Sequence, residues 1–199
     1  MSNAVIVSFF TPEWEYASRA QALIHRCNEL GLAHDIQPRE SRGNWNRNTA
    51  MKAQFIGQML EKHEHIIWLD CDGELRHVPA ICLAHAHDEP VLAVPHQTMA
   101  QHATTPRDWH VCILSIRRTP ASLALVDEWI RYLQHYDATD EMAFHAVASA
   151  APRQVHPLPT RYCALPHKGK YPADAVWCQG ISTAPDKMAM KARQAGKKP

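Results

Sequence analysis

The chain has 199 residues, 46% hydrophobic and 21% charged, with a formal net charge of +1. That suffices for one domain with a sizeable core, and so even a charge balance argues against a general polyanion binder. No apolar run approaches the roughly 20 residues that cross a bilayer, so no membrane span is expected.

Ala4 to Phe10 is apolar but has no basic flank, so it reads as a first strand over Val5 to Phe10 rather than a signal peptide. Glu13 to Leu30 carries Tyr16, Ala20, Leu23, Ile24, Cys27 and Leu30 at helical spacing, and Gly31 follows where a helix C-terminus favours it. Ala33 to Gln37 predicts a second strand and Pro38 to Asn48 a loop. Thr49 to Lys62 predicts an amphipathic helix with Met51, Phe55, Ile56, Met59 and Leu60 on its apolar face. Ile66 to Leu69 is the third strand. A helix near Val78 to His87 and strands at Val91 to Val94 and Trp109 to Ile116 come next. Helices over Pro120 to Tyr136 and Asp140 to Ser149 precede a strand at Val155 to Leu158. The Pro- and Gly-containing remainder is expected to wrap over the core. Strand and helix alternate, which argues for one layered α/β domain with a largely parallel sheet.

Cys27, Cys71, Cys82, Cys112, Cys163 and Cys178 form no CxxC pair. They read as reduced, mostly buried thiols of a cytoplasmic protein rather than a zinc site. Of the fourteen histidines, His63, His65, His77, His85 and His87 cluster without an HExxH pattern, and surface or cap positions are expected for most. The end of the chain holds Lys187, Lys191, Arg193, Lys197 and Lys198 and no acid, which reads as a solvated end or as a contact to phosphate.

The most informative stretch is Ile66-Ile67-Trp68-Leu69-Asp70-Cys71-Asp72. An apolar run bounded by charge reads as a buried central strand. Its two acids then emerge at the C-terminal edge, where open α/β sheets bind ligands. Carboxylates that close repel unless a cation or protons offset them, and a hard divalent cation is one such partner. The other reading is a plain turn, with Asp72-Gly73 as its dipeptide.

The order of these features resembles the GT-A nucleotide-sugar glycosyltransferases. That family has a DxD motif after a central strand, matched by Asp70-Cys71-Asp72. Its strand before a Thr-led helix resembles Trp109 to Thr119, although His110-Val111-Cys112 stands where Asn-x-Gly is common. Its DQ or DE pair opening a later helix is matched by Asp140-Glu141. The resemblance spans residues 4 to 183. It implies a single-domain GT-A-like fold over residues 1–185, a Rossmann-like mostly parallel sheet flanked by helices, with 186–199 as a basic tail.

The resemblance further implies a Mn²⁺- or Mg²⁺-dependent enzyme moving a sugar from a nucleotide diphosphate donor, UDP-linked, to a hydroxyl acceptor. Asp72 would hold the metal directly, with Asp70 binding it through water or holding ribose or sugar hydroxyls. His167 matches the family's C-terminal histidine ligand, and Gln179 is a weaker match. Lys52 or Arg47 would contact the diphosphate, and Thr11 and Tyr16 the base. Asp140 or Glu141 would serve as general base in an inverting reaction or orient the donor in a retaining one. The acceptor would be a glycan, a protein or a hydroxylated DNA base, the last because small enzymes of this kind occur in phage genomes.

Each residue has a second reading. Thr139 or Asp140 would cap a helix whose first turn favours acids. Lys52 would lie on an exposed helix face, Tyr16 would pack in the core, and His167 would be a loop residue. Trp68 is expected in the core, whereas Trp14, Trp45, Trp109 and Trp177 would border a sugar or be buried. Two rival functions remain: a nucleotidyltransferase making a sugar nucleotide, and a non-catalytic sugar-nucleotide-binding module. The former usually carries a Gly-rich basic segment after its first strand, where this chain reads Thr11-Pro12-Glu13-Trp14-Glu15.

Overall fold

A computed structural model describes residues 3–86, 88–96, 109–165 and 170–180, with Pro185 and Met188. Strands β1 (Val5–Phe10), β2 (His34–Pro38), β3 (His65–Leu69), β5 (Val91–Pro95), β6 (Trp109–Arg117) and β7 (Val155–Pro157) form one sheet in the order β2-β1-β3-β6-β5-β7. β1 runs parallel to β2 and β3, and β5 parallel to β7. β6 alone is reversed, lying antiparallel to β3 and β5, so the sheet is mostly parallel as expected. The start of β6 therefore lies beside the C-terminal ends of its neighbours.

Helices cover both faces, which is why all five residues of β3 are buried. Ile66 and Trp68 point to the layer made by α3 (Met51–Lys62), α5 (Pro120–His135) and α6 (Asp140–Ala150). Ile67 and Leu69 point to the opposite layer, made by α1 (Tyr16–Glu29) and by Tyr162, Cys163 and Trp177. All six cysteines are buried and free. Among the described residues, no helix is long and apolar enough to cross a membrane.

Local chemistry sets most boundaries. Thr119 caps α5 by accepting from Ser122 N–H at 3.1 Å, and Ser122 Oγ accepts from Thr119 N–H at 3.0 Å. Gly31 follows α1 with φ +63°. Helix α1 begins at Tyr16 rather than Glu13, because Trp14 has φ +55°, outside the right-handed helical region. The stretch expected as a loop to Asn48 already contains the start of α2 (Trp45–Thr49), capped by Asn44 Oδ1, which accepts from Arg47 N–H at 2.9 Å. The helix expected over Val78 to His87 shrinks to α4 (Ala80–Leu83).

A second small sheet, β4 (Glu74–Leu75) with β8 (Trp177–Cys178), carries no sequence signal because each strand has two residues. His65 and His85 are exceptions to the surface or cap positions expected for most histidines: both are buried, each hydrogen-bonded to Ser115 Oγ at 2.9 Å. His87 lies outside the described residues.

Candidate active site

The C-terminal ends of β1 and β3 and the start of β6 open into one cleft of about 440 Å³. Thr11, Trp14, Tyr16, Trp45, Lys52, Trp68, Asp70, Asp72, His110, Asp140, Glu141 and Gln179 all line it. It is a crevice at the edge of an α/β sheet, the usual place for a ligand.

Lys52 is at its floor. On α3 it shares the buried face of Phe55, Ile56 and Met59, so the helix carries its ammonium inward rather than to solvent. Lys52 Nζ lies 2.5 Å from Asp140 Oδ2 and 2.8 Å from Asp70 Oδ1, and donates to the Val111 carbonyl at 3.1 Å. Burial opposes the charge, but Asp140 and Asp70 outweigh it and hold the ammonium above the usual lysine range. Burial also pushes the Asp140 carboxyl up, against the pull of Lys52. The exposed-face reading of Lys52 is thus corrected: it is 4% exposed and paired with two carboxylates.

Asp70 is held from two sides. Its Oδ1 accepts from Trp68 Nε1 at 2.9 Å as well as from Lys52, and the Asp70 N–H donates to the Cys112 carbonyl at 2.9 Å, extending the β3–β6 ladder by a residue. Asp72 follows in the turn that Asp72-Gly73 predicts. Turn and site are one object here. Arg19 Nη1 donates to the Asp72 carbonyl at 3.0 Å. A Cβ on Gly73 would fall 2.0 Å from the Trp177 ring, and one on Gly180 would fall 1.7 Å from the Asp72 carbonyl oxygen. The segment after β8 therefore lies directly against the acidic turn, and both approaches need glycine.

Thr139 caps α6, accepting from Met142 N–H at 3.2 Å, which sets Asp140 and Glu141 in the first turn at the cleft. The Asp140 carbonyl accepts from Trp129 Nε1 at 3.0 Å. Glu141 Oε1 lies 3.5 Å from His110 Nδ1. At the mouth, Trp14 and Tyr16 meet edge to face with centroids 5.8 Å apart.

The fold therefore gathers Thr11, Tyr16, Lys52, Asp70, Asp72, Asp140, Glu141 and Gln179. Arg47 is exposed on α2 and does not line the cleft. His167 and the basic residues from Lys187 onward lie outside the described residues. Trp14 and Trp45 border the cleft, whereas Trp177 is fully buried and Trp109 packs on the core. The meeting of His110 and His96 has no sequence signal, because nothing in the chain shows that β6 is inserted in reverse and brings them together.

No protein-family model matches the sequence, and no curated protein matches it. Solved structures do. One is a glycosyltransferase involved in the glycosylation of the major capsid of PBCV-1, at a TM-score of 0.68 and 13% identity, over 96% of this chain and 98% of that one. Another is mouse xyloside xylosyltransferase 1 in its apo form, at 0.57 and 7%, over 92% of this chain and 99% of that one. The chain has a GT-A-like glycosyltransferase fold.

Proposed function

We propose that this chain is a metal-dependent glycosyltransferase that moves a sugar from a nucleotide diphosphate donor, UDP-linked, to the hydroxyl of a glycan, protein or hydroxylated DNA base. The charge of the cleft carries this reading. Among its described lining residues, Lys52 is the only lysine or arginine, against Asp70, Asp72, Asp140 and Glu141. Even with Asp140 protonated, carboxylates outnumber the ammonium. A diphosphate is itself anionic, so a cation must intervene for it to enter.

Asp70 and Asp72 suit a hard cation. Both offer carboxylate oxygens, and among the described residues Asp70 Oδ2 has no protein partner while Oδ1 is held by Lys52 and Trp68. When bound, Mn²⁺ or Mg²⁺ supplies charge neutralisation for the diphosphate leaving group. The chain's own residues do the positioning. Lys52 and Trp68 lock Asp70, and Arg19 holds the Asp72 carbonyl. Trp14, Tyr16 and Trp45 offer ring faces to a base or a sugar. Asp140 is committed to Lys52 and acts through it on Asp70, so Glu141 is the acid assigned to the acceptor side.

The test is a thermal-shift screen of UDP- and GDP-sugars with and without Mn²⁺, repeated with Asp72→Ala. Stabilisation that needs donor, metal and Asp72 together is expected, about 2.7 kcal/mol at a hundredfold excess over Kd. Silence toward every sugar nucleotide would sink the reading. Metal-dependent hydrolysis of the responding donor separates an enzyme from a binding module.

A further inference from the structure

β5 ends at Pro95 beside Trp109, the first residue of β6. The next residue along each strand is a histidine, His96 after β5 and His110 inside β6. Their imidazole rings stack with centroids 4.0 Å apart and planes 23° apart. Glu141 approaches from the first turn of α6, its Oε1 3.5 Å from His110 Nδ1. One ligand atom from each of His96, His110 and Glu141 lies within 4.8 Å of the other two.

A second observation points to a ligand. His110 is 3% exposed, and its Nε2 is buried without a hydrogen-bond partner. Leaving a buried polar atom unsatisfied costs about 1–3 kcal/mol, and such atoms in folded proteins call for an explanation. Nothing in the donor reading uses either imidazole.

We infer that His96, His110 and Glu141 hold a divalent cation of the zinc or cobalt class, at a site distinct from Asp70 and Asp72, the half-buried His96 ring turning out of its stack on His110 so that a nitrogen of each ring faces the ion. The ligand set decides the class. Two imidazoles and one carboxylate suit the borderline later first-row metals, whereas an all-carboxylate pair suits Mg²⁺ or Mn²⁺. Three protein ligands leave a coordination position for water or an incoming oxygen. That this oxygen belongs to the acceptor rests on the transferase reading; the site itself does not.

The experiment uses the full chain, stripped with a chelator and titrated with Co²⁺. Visible ligand-field absorption is the main readout, because cobalt with nitrogen ligands in low coordination absorbs far more strongly than cobalt in an octahedral oxygen site. Calorimetry gives the affinity. One cobalt per chain with a strong band is expected. His96→Ala and Glu141→Gln should each abolish the band and weaken binding about tenfold or more, while Asp72→Ala keeps it. His96 is only half-buried, and an unchanged thermal melt of His96→Ala shows that the variant is folded. No band with stoichiometric Co²⁺, or a band that survives both His96→Ala and Glu141→Gln, overturns the assignment. A failed sugar-nucleotide screen leaves the cobalt result standing, so the two readings fail separately.

Discussion

The Lys52 ammonium stands 2.5 Å from Asp140 Oδ2, tying α3 to the first turn of α6 beneath the cleft. The same ammonium reaches Asp70 at the end of β3. Removing it leaves two carboxylates with no counter-charge, one of them buried. Lys52→Met is therefore expected to cost about 3–5 kcal/mol, read as a lower urea midpoint at unchanged slope. Adding Asp140→Leu should restore part of the loss, because the residual charge goes with it. Equal stability of Lys52→Met and wild type would show that the triad contributes nothing.

Trp68 isolates the positioning of Asp70. Trp68→Phe keeps most of the ring volume but deletes the 2.9 Å hydrogen bond to Oδ1. Bonds to charged groups contribute about 1.5–3 kcal/mol, though Lys52 still holds that oxygen, so a loss near the lower end is expected. Donor-dependent Mn²⁺ affinity should fall with it. The check is Mn²⁺ titration by calorimetry in the presence of the best donor, and affinity within error of wild type would remove Trp68 from the site.

The two glycines at the acidic turn make a stricter demand. Gly180→Ala drives a methyl into the Asp72 carbonyl, and Gly73→Ala drives one into the Trp177 ring. Neither neighbour is the tip of a flexible chain, so the turn itself must shift. Both variants should lose about 1–3 kcal/mol, together with the metal-dependent donor response. A variant that melts as wild type and still binds donor would show that the turn has slack.

Trp14 sets a bulky side chain at φ +55° on the cleft lip. Such strain costs of order 1 kcal/mol or more and is kept where surroundings or function demand it. Trp14→Gly relieves the strain but removes the ring. Stability should stay within about 1 kcal/mol of wild type, while donor binding weakens by about 1–3 kcal/mol if the ring stacks on the base. Thermal melts and donor titrations on the same samples separate the two effects.

The buried histidines predict an acid limit. His85 Nε2 lies 2.7 Å from the Glu89 carbonyl, which only accepts, so that nitrogen carries the proton. His85 Nδ1 then accepts from Ser115, and Ser115 Oγ accepts from His65 Nε2, both at 2.9 Å. Both rings are neutral in this chain of bonds. Burial, joined by nearby Arg117, pushes each from 6.5 down to about 4. The unfolded chain thus binds more protons than the folded one between those values. The stability tied to this cluster is full above about pH 6.5 and is lost as pH falls toward about 4, a change of order 2 kcal/mol or more. Urea midpoints across that window check it, and a His65→Gln variant with an equally steep fall would overturn it.

Much of the site was legible in the chain because its signals are local. A four-residue apolar run, Ile66 to Leu69, followed by Asp70 reads as a strand with an acid at its end, since period and position are set by neighbours. Thr139 before Asp140-Glu141 reads as a helix start for the same reason, and the stripe through Phe55, Ile56 and Met59 already placed α3 against the core. Lys52 is buried on the same helix, yet the chain reads it as an exposed-face residue, because a lysine carries no local sign of what would neutralise it inside.

The sequence by itself determined the order of the main-sheet strands and the longer helices, the edge at which the acids emerge and the two helices that bear Lys52 and Asp140. The tertiary structure alone decided who meets whom there. The partners of Lys52 come from distant segments, the short strands β4 and β8 pair only after the chain has wrapped round, and His96 meets His110 only because β6 enters the sheet reversed. Strand direction and long-range ion pairing depend on how whole elements pack, and burial, which no single residue type encodes, is what turns a helix-face lysine into the counter-charge of two carboxylates.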